Sequence, residues 1–191
     1  MLSVGGWGSG RFSEMAADPQ LREKFAKDCR RVVRKYHLDG IDIDWEYPTV
    51  SAAGISASEN DVENFTLLVR DIRKAVGKKK LLTLATVCNA KYIDFPAIMP
   101  YVDFVNIMAY DMTMNIAKHH APLFVSENTS ELSAANSIED HLAAGVPPHK
   151  LVLGVPFYGR GNEEFRKSAS YSRMPALPDG FAEKWDEKAQ S

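Results

Sequence analysis

The chain has 191 residues, 45% hydrophobic and 25% charged, with a formal net charge of −2. This is ordinary globular composition sized for one domain, and the near-neutral balance gives no reason to expect nucleic acid or an anionic membrane surface as partner. No stretch approaches the roughly 20 apolar residues that span a bilayer, so no membrane insertion is expected.

Apolar runs alternate with amphipathic stretches along the chain. After Met1 comes LSVGGWGSG, which has neither the basic start nor the long apolar run of a secretion signal. Leu2 to Trp7 reads as the first strand. A helix follows, with Leu21, Phe25, Cys29, Val32, Val33 and Tyr36 at helical spacing and Asp18-Pro19 as N-cap and first-turn pair. A second strand runs from about Gly40 to Tyr47 and ends at Pro48. Residues 49–58 read as a loop, and Ser58 is expected to cap a helix over about Glu59 to Val76, closed by Gly77. The basic run Lys78 to Lys80 then suits a helix C-terminus. Leu81 to Val87 is the third strand, followed by a short helix near Phe95 to Met99.

Val102 to Tyr110 is the fourth strand. A long loop follows, in which His119 and His120 have no carboxylate at a suggestive spacing and read as surface residues. A helix over Ala134 to Ala144 ends at Gly145 and the Pro147-Pro148 pair, and Leu151 to Gly159 is the fifth strand. The polar remainder holds one further helix candidate after Gly180. Cys29 and Cys88 belong to no motif and read as buried small hydrophobes.

Near-continuous apolar strands joined by helices imply a parallel α/β sheet. Two architectures fit: a complete doubly wound sheet, or five-eighths of a closed barrel. In either one, ligands bind at the carboxyl ends of the strands. Trp7, Asp44, Glu46, Tyr110, Asp111, Tyr158 and Arg160 gather at those ends.

The stretch DGIDIDWEYP, residues 39 to 48, carries the strongest chemical signal. Alternation puts Ile41, Ile43 and Trp45 on one face and Asp42, Asp44 and Glu46 on the other. Adjacent like charges repel, so such a face is a poor choice for plain solvation. Three arrangements would account for it. A hard cation would suit carboxylate oxygens, but the side chains lie in a line about 7 Å apart per step, and no His stands beside them. A buried acid cluster would hold at least one proton at neutral pH and titrate as a unit, making Glu46, nearest the open end, a natural general acid. A hydrogen-bonded polar layer would account for Asp42 but not for Glu46 at the mouth.

DGIDIDWEYP resembles the DxxDxDxE signature of glycoside hydrolase family 18, the family of chitinases and endo-β-N-acetylglucosaminidases. SVGGW (Ser3 to Trp7) resembles the family's SxGG motif on its third strand, MAYD (Met108 to Asp111) the motif on the sixth, and GVPFYGR (Gly154 to Arg160) that on the seventh. The resemblance implies a partial (β/α)8 TIM barrel, with about five of eight βα units present. Residues 1–160 would be the central part of the catalytic barrel, and 161–191 the region after strand seven, where an insertion before strand eight would begin. Counterparts of strands one, two and eight are missing, so the chain is expected to be a fragment of a longer protein.

The resemblance also implies roles. Glu46 would protonate the glycosidic oxygen, and Asp44 would orient the N-acetyl group whose carbonyl oxygen attacks the anomeric carbon. Asp42 would share a proton with Asp44, with Ser3 as its hydrogen-bond partner, and Tyr110 would bind the N-acetyl group. Met108, Asp111, Tyr158 and Arg160 would line the sugar sites, and Trp7 would stack on a leaving-group sugar. Asp39, out of phase with the other acids, would be structural. The implied activity is retaining, substrate-assisted cleavage of β-1,4 bonds next to N-acetylglucosamine, an exception to the two-carboxylate rule for glycosidases. The partner would be chitin or an N-acetylglucosamine oligosaccharide, with no cofactor and no metal, and the location secreted or periplasmic. The rival readings are an endoglycosidase acting on N-linked glycans and a chitin-binding lectin of the same fold.

Overall fold

The computed structural model describes residues 1–113, 118–126, 129 and 131–159. Arg160 and the segment 161–191, with the helix expected after Gly180, lie outside the described residues.

Strands β1 (Leu2–Gly5), β2 (Gly40–Asp44), β3 (Leu81–Val87), β4 (Phe104–Met108) and β5 (Leu151–Leu153) form one sheet in that order. Every neighbouring pair is parallel. The sequential order separates the two architectures that strand–helix alternation leaves open. A doubly wound sheet reverses its direction of growth at a switch point, and this sheet does not. Right-handed crossovers that always step the same way lay every connection on one face. The result is an arc of a (β/α)8 barrel with helices outside and the opposite face turned inward. β1 and β5 each have one neighbour, and Leu2, Val152, Leu153 and Val155 at these edges are exposed.

The outer face of the sheet carries the main core. Ile41 and Ile43 of β2, Leu82 and Leu84 of β3 and Val105 of β4 pack under two helices. These are α2 (Pro19–Lys35), through Ala26, Cys29 and Val33, and α3 (Asp61–Val76), through Phe65, Leu68, Val69 and Ile72. Each fully buried Leu, Ile or Phe contributes roughly 1.5–3 kcal/mol. Cys29 and Cys88 are both free and buried. α2 starts where its Asp18-Pro19 pair puts it, with the Asp18 carboxylate accepting from Gln20 N at 2.7 Å and Leu21 N at 3.1 Å.

Several local features differ from the sequence reading: β2 ends at Asp44, β4 at Met108 and β5 at Leu153, short of the expected Tyr47, Tyr110 and Gly159. A short helix, α1 (Phe12–Ala17), precedes α2; six residues are too few for a periodic signal. β1 stops at Gly5, so Trp7 lies beyond the strand in a turn. Ser58 does not cap α3, which begins at Asp61 after Asn60 with no side-chain cap bond. The fully buried Asp61 carboxylate takes over the joining role. It accepts from Ser58 N at 2.8 Å, Thr49 N at 3.1 Å and Ser13 Oγ at 2.7 Å, tying α1, the loop after β2 and the start of α3 together.

At the opposite, N-terminal end of the strands, Arg73 of α3 binds the carbonyls of Tyr101, Gly77 and Lys80 at 2.6–2.9 Å and the Asp103 carboxylate at 2.5 Å. In barrels this end carries stability and the other end carries chemistry. α4 (Phe95–Ile98) and α5 (Ala134–Ala143) complete the described helical layer.

Candidate active site

β2 keeps its hydrogen-bonded ladder only to Asp44, yet its alternation continues to Glu46. Trp45 stays on the outer side, stacked on Phe12 at 5.4 Å and edge-on to Phe65 at 5.4 Å. With Ile41, Ile43 and Trp45 held there, Asp42, Asp44 and Glu46 fall to the inner face, in order from the middle of the arc to its mouth. Asp39 is exposed at the far end of the strand, where its carbonyl accepts from Leu81 N at 2.9 Å.

Strand register surrounds Asp42 with donors. Ser3, Asp42 and Thr83 are ladder partners across β1, β2 and β3, so their side chains share one row of the inner face. Ser3 Oγ donates to Asp42 Oδ2 at 2.6 Å, Thr83 Oγ1 to Oδ1 at 2.5 Å, and Asn106 Nδ2 of β4 to Oδ1 at 3.1 Å. Thr83 and Asn106 were not among the candidate residues from sequence. Their signal is faint: each is a polar residue in the inward phase of a mostly apolar strand.

Asp44 is treated differently. Its Oδ1 is buried with no hydrogen-bond partner among the described residues. Burial, then the charge of Glu46, then that of Asp42 push its carboxyl up to about 7. Glu46 is also raised, mainly by burial and further by the Asp111 charge, against a hydrogen bond from Tyr47 that lowers it. Two half-buried carboxyls, both raised toward protonation, follow one another at the mouth.

Glycine shapes this region at two points. Gly5 has φ +129, and a Cβ there would lie 1.9 Å from the Asp44 carbonyl oxygen, to which Gly6 N donates at 2.8 Å. Only glycine lets the β1 turn close on the acidic strand. A Cβ at Gly154 would meet the Ile107 carbonyl at 2.5 Å and the Tyr110 ring at 3.0 Å, so the bare backbone after β5 makes room for that ring.

The remaining candidates ring the acids. The Tyr110 hydroxyl is held protonated by burial and by the nearby charges of Asp44 and Glu46, which leaves it a donor. Its ring stands edge-on to Tyr158 at 6.2 Å, and Tyr158 Oη donates to Asp111 Oδ2 at 2.8 Å. Met108 is half-buried at the end of β4, opposite Val87. Trp7 is 61% exposed, with its ring edge-on to Tyr47 at 6.4 Å. Tyr47, absent from the sequence-derived set, joins the site through Glu46 and lies against Tyr92 at 5.5 Å. Arg160 lies outside the described residues.

The reading of His120 as a surface residue is corrected. Its side chain is 17% exposed, and Nδ1 lies 3.6 Å from Asp111 Oδ1. The neighbouring carboxylate belongs to a residue nine positions back, brought near by a fold of the loop that no local spacing could announce. Among the described residues, no group of three or more His, Cys, Asp or Glu side chains is placed to hold a metal ion.

A one-way parallel arc of βα units, with acids aligned inward along one strand and displaced toward protonation at its carboxyl end, makes this part of a (β/α)8 barrel with an acidic site at its mouth. The profile described as Glycosyl hydrolases family 18 matches residues 1–191, and the chain belongs to that family. It is 42% identical over 184 residues to Chitinase A1 of Niallia circulans, covering 84% of this chain and 26% of that protein. It is 37% identical over 175 residues to Probable chitinase 2 of Drosophila melanogaster, covering 83% of this chain and 34% of that one. Among solved structures, the chitinase domain of the spore coat protein CotE from Clostridium difficile superposes with a TM-score of 0.80 at 39% identity, covering 83% of this chain and 49% of that one. A family 18 N-acetylglucosaminidase from Paenibacillus barengoltzii gives 0.78 at 38% identity, covering 83% and 51%. The chain thus spans about a quarter to a third of these curated relatives and about half of these solved chains.

Proposed function

We propose that this chain carries the acid–base half of a glycosidase that cleaves β-1,4 bonds next to N-acetylglucosamine in chitin or chitooligosaccharides. The observation that carries the reading is Asp44: a buried carboxyl oxygen with no partner, beside Glu46, in a site that raises both acids. A 2-acetamido N–H is the donor such an oxygen lacks, since an unpaired buried acceptor costs about 1–3 kcal/mol. The relatives called chitinases and the neighbour called an N-acetylglucosaminidase support the same sugar.

In this reading Asp44 accepts the acetamido N–H and turns the acetamido carbonyl oxygen toward the anomeric carbon. Glu46 gives its proton to the glycosidic oxygen as that carbon–oxygen bond breaks. The acetamido oxygen forms the new bond to the anomeric carbon, giving an oxazolinium-like intermediate, and Tyr110 Oη donates to the acetamido group. Glu46, now ionised, takes a proton from water as the water oxygen displaces the acetamido oxygen. Two inversions give retention. Asp42, held by Ser3, Thr83 and Asn106, stands close behind Asp44 and fixes the strand there. Trp7 offers an exposed ring for stacking on a leaving-group sugar. Chitin is an extracellular polymer, so the reading places the protein outside the cytoplasm.

The test compares the protein at its full natural length with its Glu46→Gln variant on a fluorogenic N-acetylglucosamine oligomer. Loss of the general acid lowers kcat by about 10²–10⁴. A folded wild-type protein that binds the oligomer and leaves it intact would overturn the enzymatic reading in favour of a lectin.

A further inference from the structure

The loop after β4 brings back a residue that the mechanism above does not use. Asp111, the last residue of MAYD, has φ +54, in the left-handed region that a non-glycine residue rarely occupies. Positions of this kind persist only where the surroundings fix them. Among the described residues, His120 is part of those surroundings. Asp111 N donates to His120 Nδ1 at 3.4 Å, and the next amide, Met112 N, donates to the His120 carbonyl oxygen at 2.9 Å. One residue thus takes two successive N–H groups from the turn, one with its side chain and one with its backbone. An acceptor at Nδ1 puts the neutral ring's proton on Nε2.

The ring does a second thing. It lies against Tyr158 at 5.4 Å with an interplanar angle of 30°, and Tyr158 Oη donates to Asp111 Oδ2. His120 therefore holds Asp111 from its backbone and supports the tyrosine that holds its carboxylate. The Asp111 charge in turn helps to raise Glu46.

We propose that His120 is a positioning residue for the reaction: it fixes the Asp111 turn and, through Tyr158, the direction of the Asp111 carboxylate toward Glu46. The proposal rests on the reading of Glu46 as general acid. Asp111 raises Glu46, so an Asp111 carboxylate that swings away lets the Glu46 pKa fall. The alkaline limb of the pH–rate profile, where protonated Glu46 is lost, then moves to lower pH. Among the described residues, the other titratable groups that interact with Glu46 are Tyr47, Asp44 and Tyr110, and those in contact with His120 are Asp111 and Tyr158. Lys118, a cation of the same loop, is bound to the Thr129 carbonyl at 2.7 Å.

The experiment uses the full-length protein and two variants. His120→Ala removes both the acceptor and the ring. His120→Asn keeps an acceptor near the Nδ1 position and removes the ring. Three quantities are read: kcat and KM on the N-acetylglucosamine oligomer across pH, thermal midpoint, and hydrogen exchange of the Asp111 amide by NMR. The expected result for His120→Ala is a kcat lower by about tenfold to 10² with KM within about threefold, an alkaline limb at lower pH, and a faster-exchanging Asp111 amide. His120→Asn restores the amide protection and part of kcat. An unmoved pH profile with unchanged kcat in His120→Ala overturns the proposal. So does a kcat loss that merely follows the thermal midpoint equally in both variants. If the wild-type protein does not cut the oligomer, the functional reading has failed instead, and amide exchange still decides the clamp: unchanged protection in His120→Ala sinks it.

Discussion

The corner where α1, the loop after β2 and the start of α3 meet holds one buried carboxylate, and the mouth of the arc holds another. At the corner, Asp61 is fully buried and accepts from Ser13, Thr49 and Ser58. At the mouth, Asp44 has a buried oxygen with no partner and a carboxyl pushed up to about 7. Between them in character stands Asp42, one step along β2, with three side-chain donors. The same functional group is thus structural where donors converge on it and reactive where they are withheld. A buried acceptor without donors is costly, and the arc keeps that cost at the point where a substrate amide can relieve it.

The largest effect expected from this contrast falls on stability at the corner. Asp61→Ala leaves a hydroxyl and two backbone N–H groups without their acceptor, at about 1–3 kcal/mol for each buried group left unpaired. A loss of about 3 kcal/mol or more in urea unfolding is expected, read as a fall in the midpoint. Asp61→Asn can keep both backbone bonds on its oxygen and turn its amide to Ser13, so its loss should stay below about 1.5 kcal/mol. Equal losses in the two variants would show that the charge, not the bond set, holds the corner.

Asp44→Asn is the converse experiment. It removes an acid whose buried Oδ1 has no donor to lose and whose ionisation the fold disfavours, so at pH 7 the folded state should be at least as stable as wild type, while kcat on the oligomer falls by about 10²–10³. A variant that unfolds readily but retains its rate would make Asp44 structural and end the contrast. Thr83→Val probes the intermediate case. It removes one of the three donors on Asp42 at nearly constant shape, and should cost about 1 kcal/mol with a rate loss of less than about tenfold.

The parts of this pattern that were legible in the sequence are the local ones. Alternation along Gly40 to Glu46 put the three acids on one face, because side-chain period depends only on the strand itself. The Asp18-Pro19 start of α2 and the Gly77 end of α3 were legible for the same reason. What register decides was not. Thr83 lies 41 residues from Asp42 and Asn106 lies 64, and only pairing across three ladders brings their donors to one carboxylate. Asp61 reads from sequence as an ordinary acid in the first turn of a helix, and Ser58 as its cap. Burial reversed those parts, since a carboxylate with three donors outcompetes a hydroxyl for the loop's amides. The direction of sheet growth, which makes the fold a barrel arc, lies beyond periodicity as well.

The smallest effect expected is also the most specific to the mouth. Asp44 titrates near its ordinary value of about 3.9 in the unfolded chain and at about 7 when folded. Between these two values the folded protein binds a proton that the unfolded chain has released, so stability falls as pH rises. The contribution is whole below about pH 4, is lost through pH 7, and is level above. Asp44→Asn lacks this titration. Urea midpoints for the two proteins, measured from pH 4 to pH 8, should therefore diverge in favour of the variant up to about pH 7 and then run parallel. The carboxyl is partly open to solvent, which screens the interaction and keeps the divergence modest. Midpoints that stay parallel across the whole range would mean that Asp44 ionises in the fold as it does in water. The mouth would then differ from the corner only in its missing donors, and not in the proton it holds.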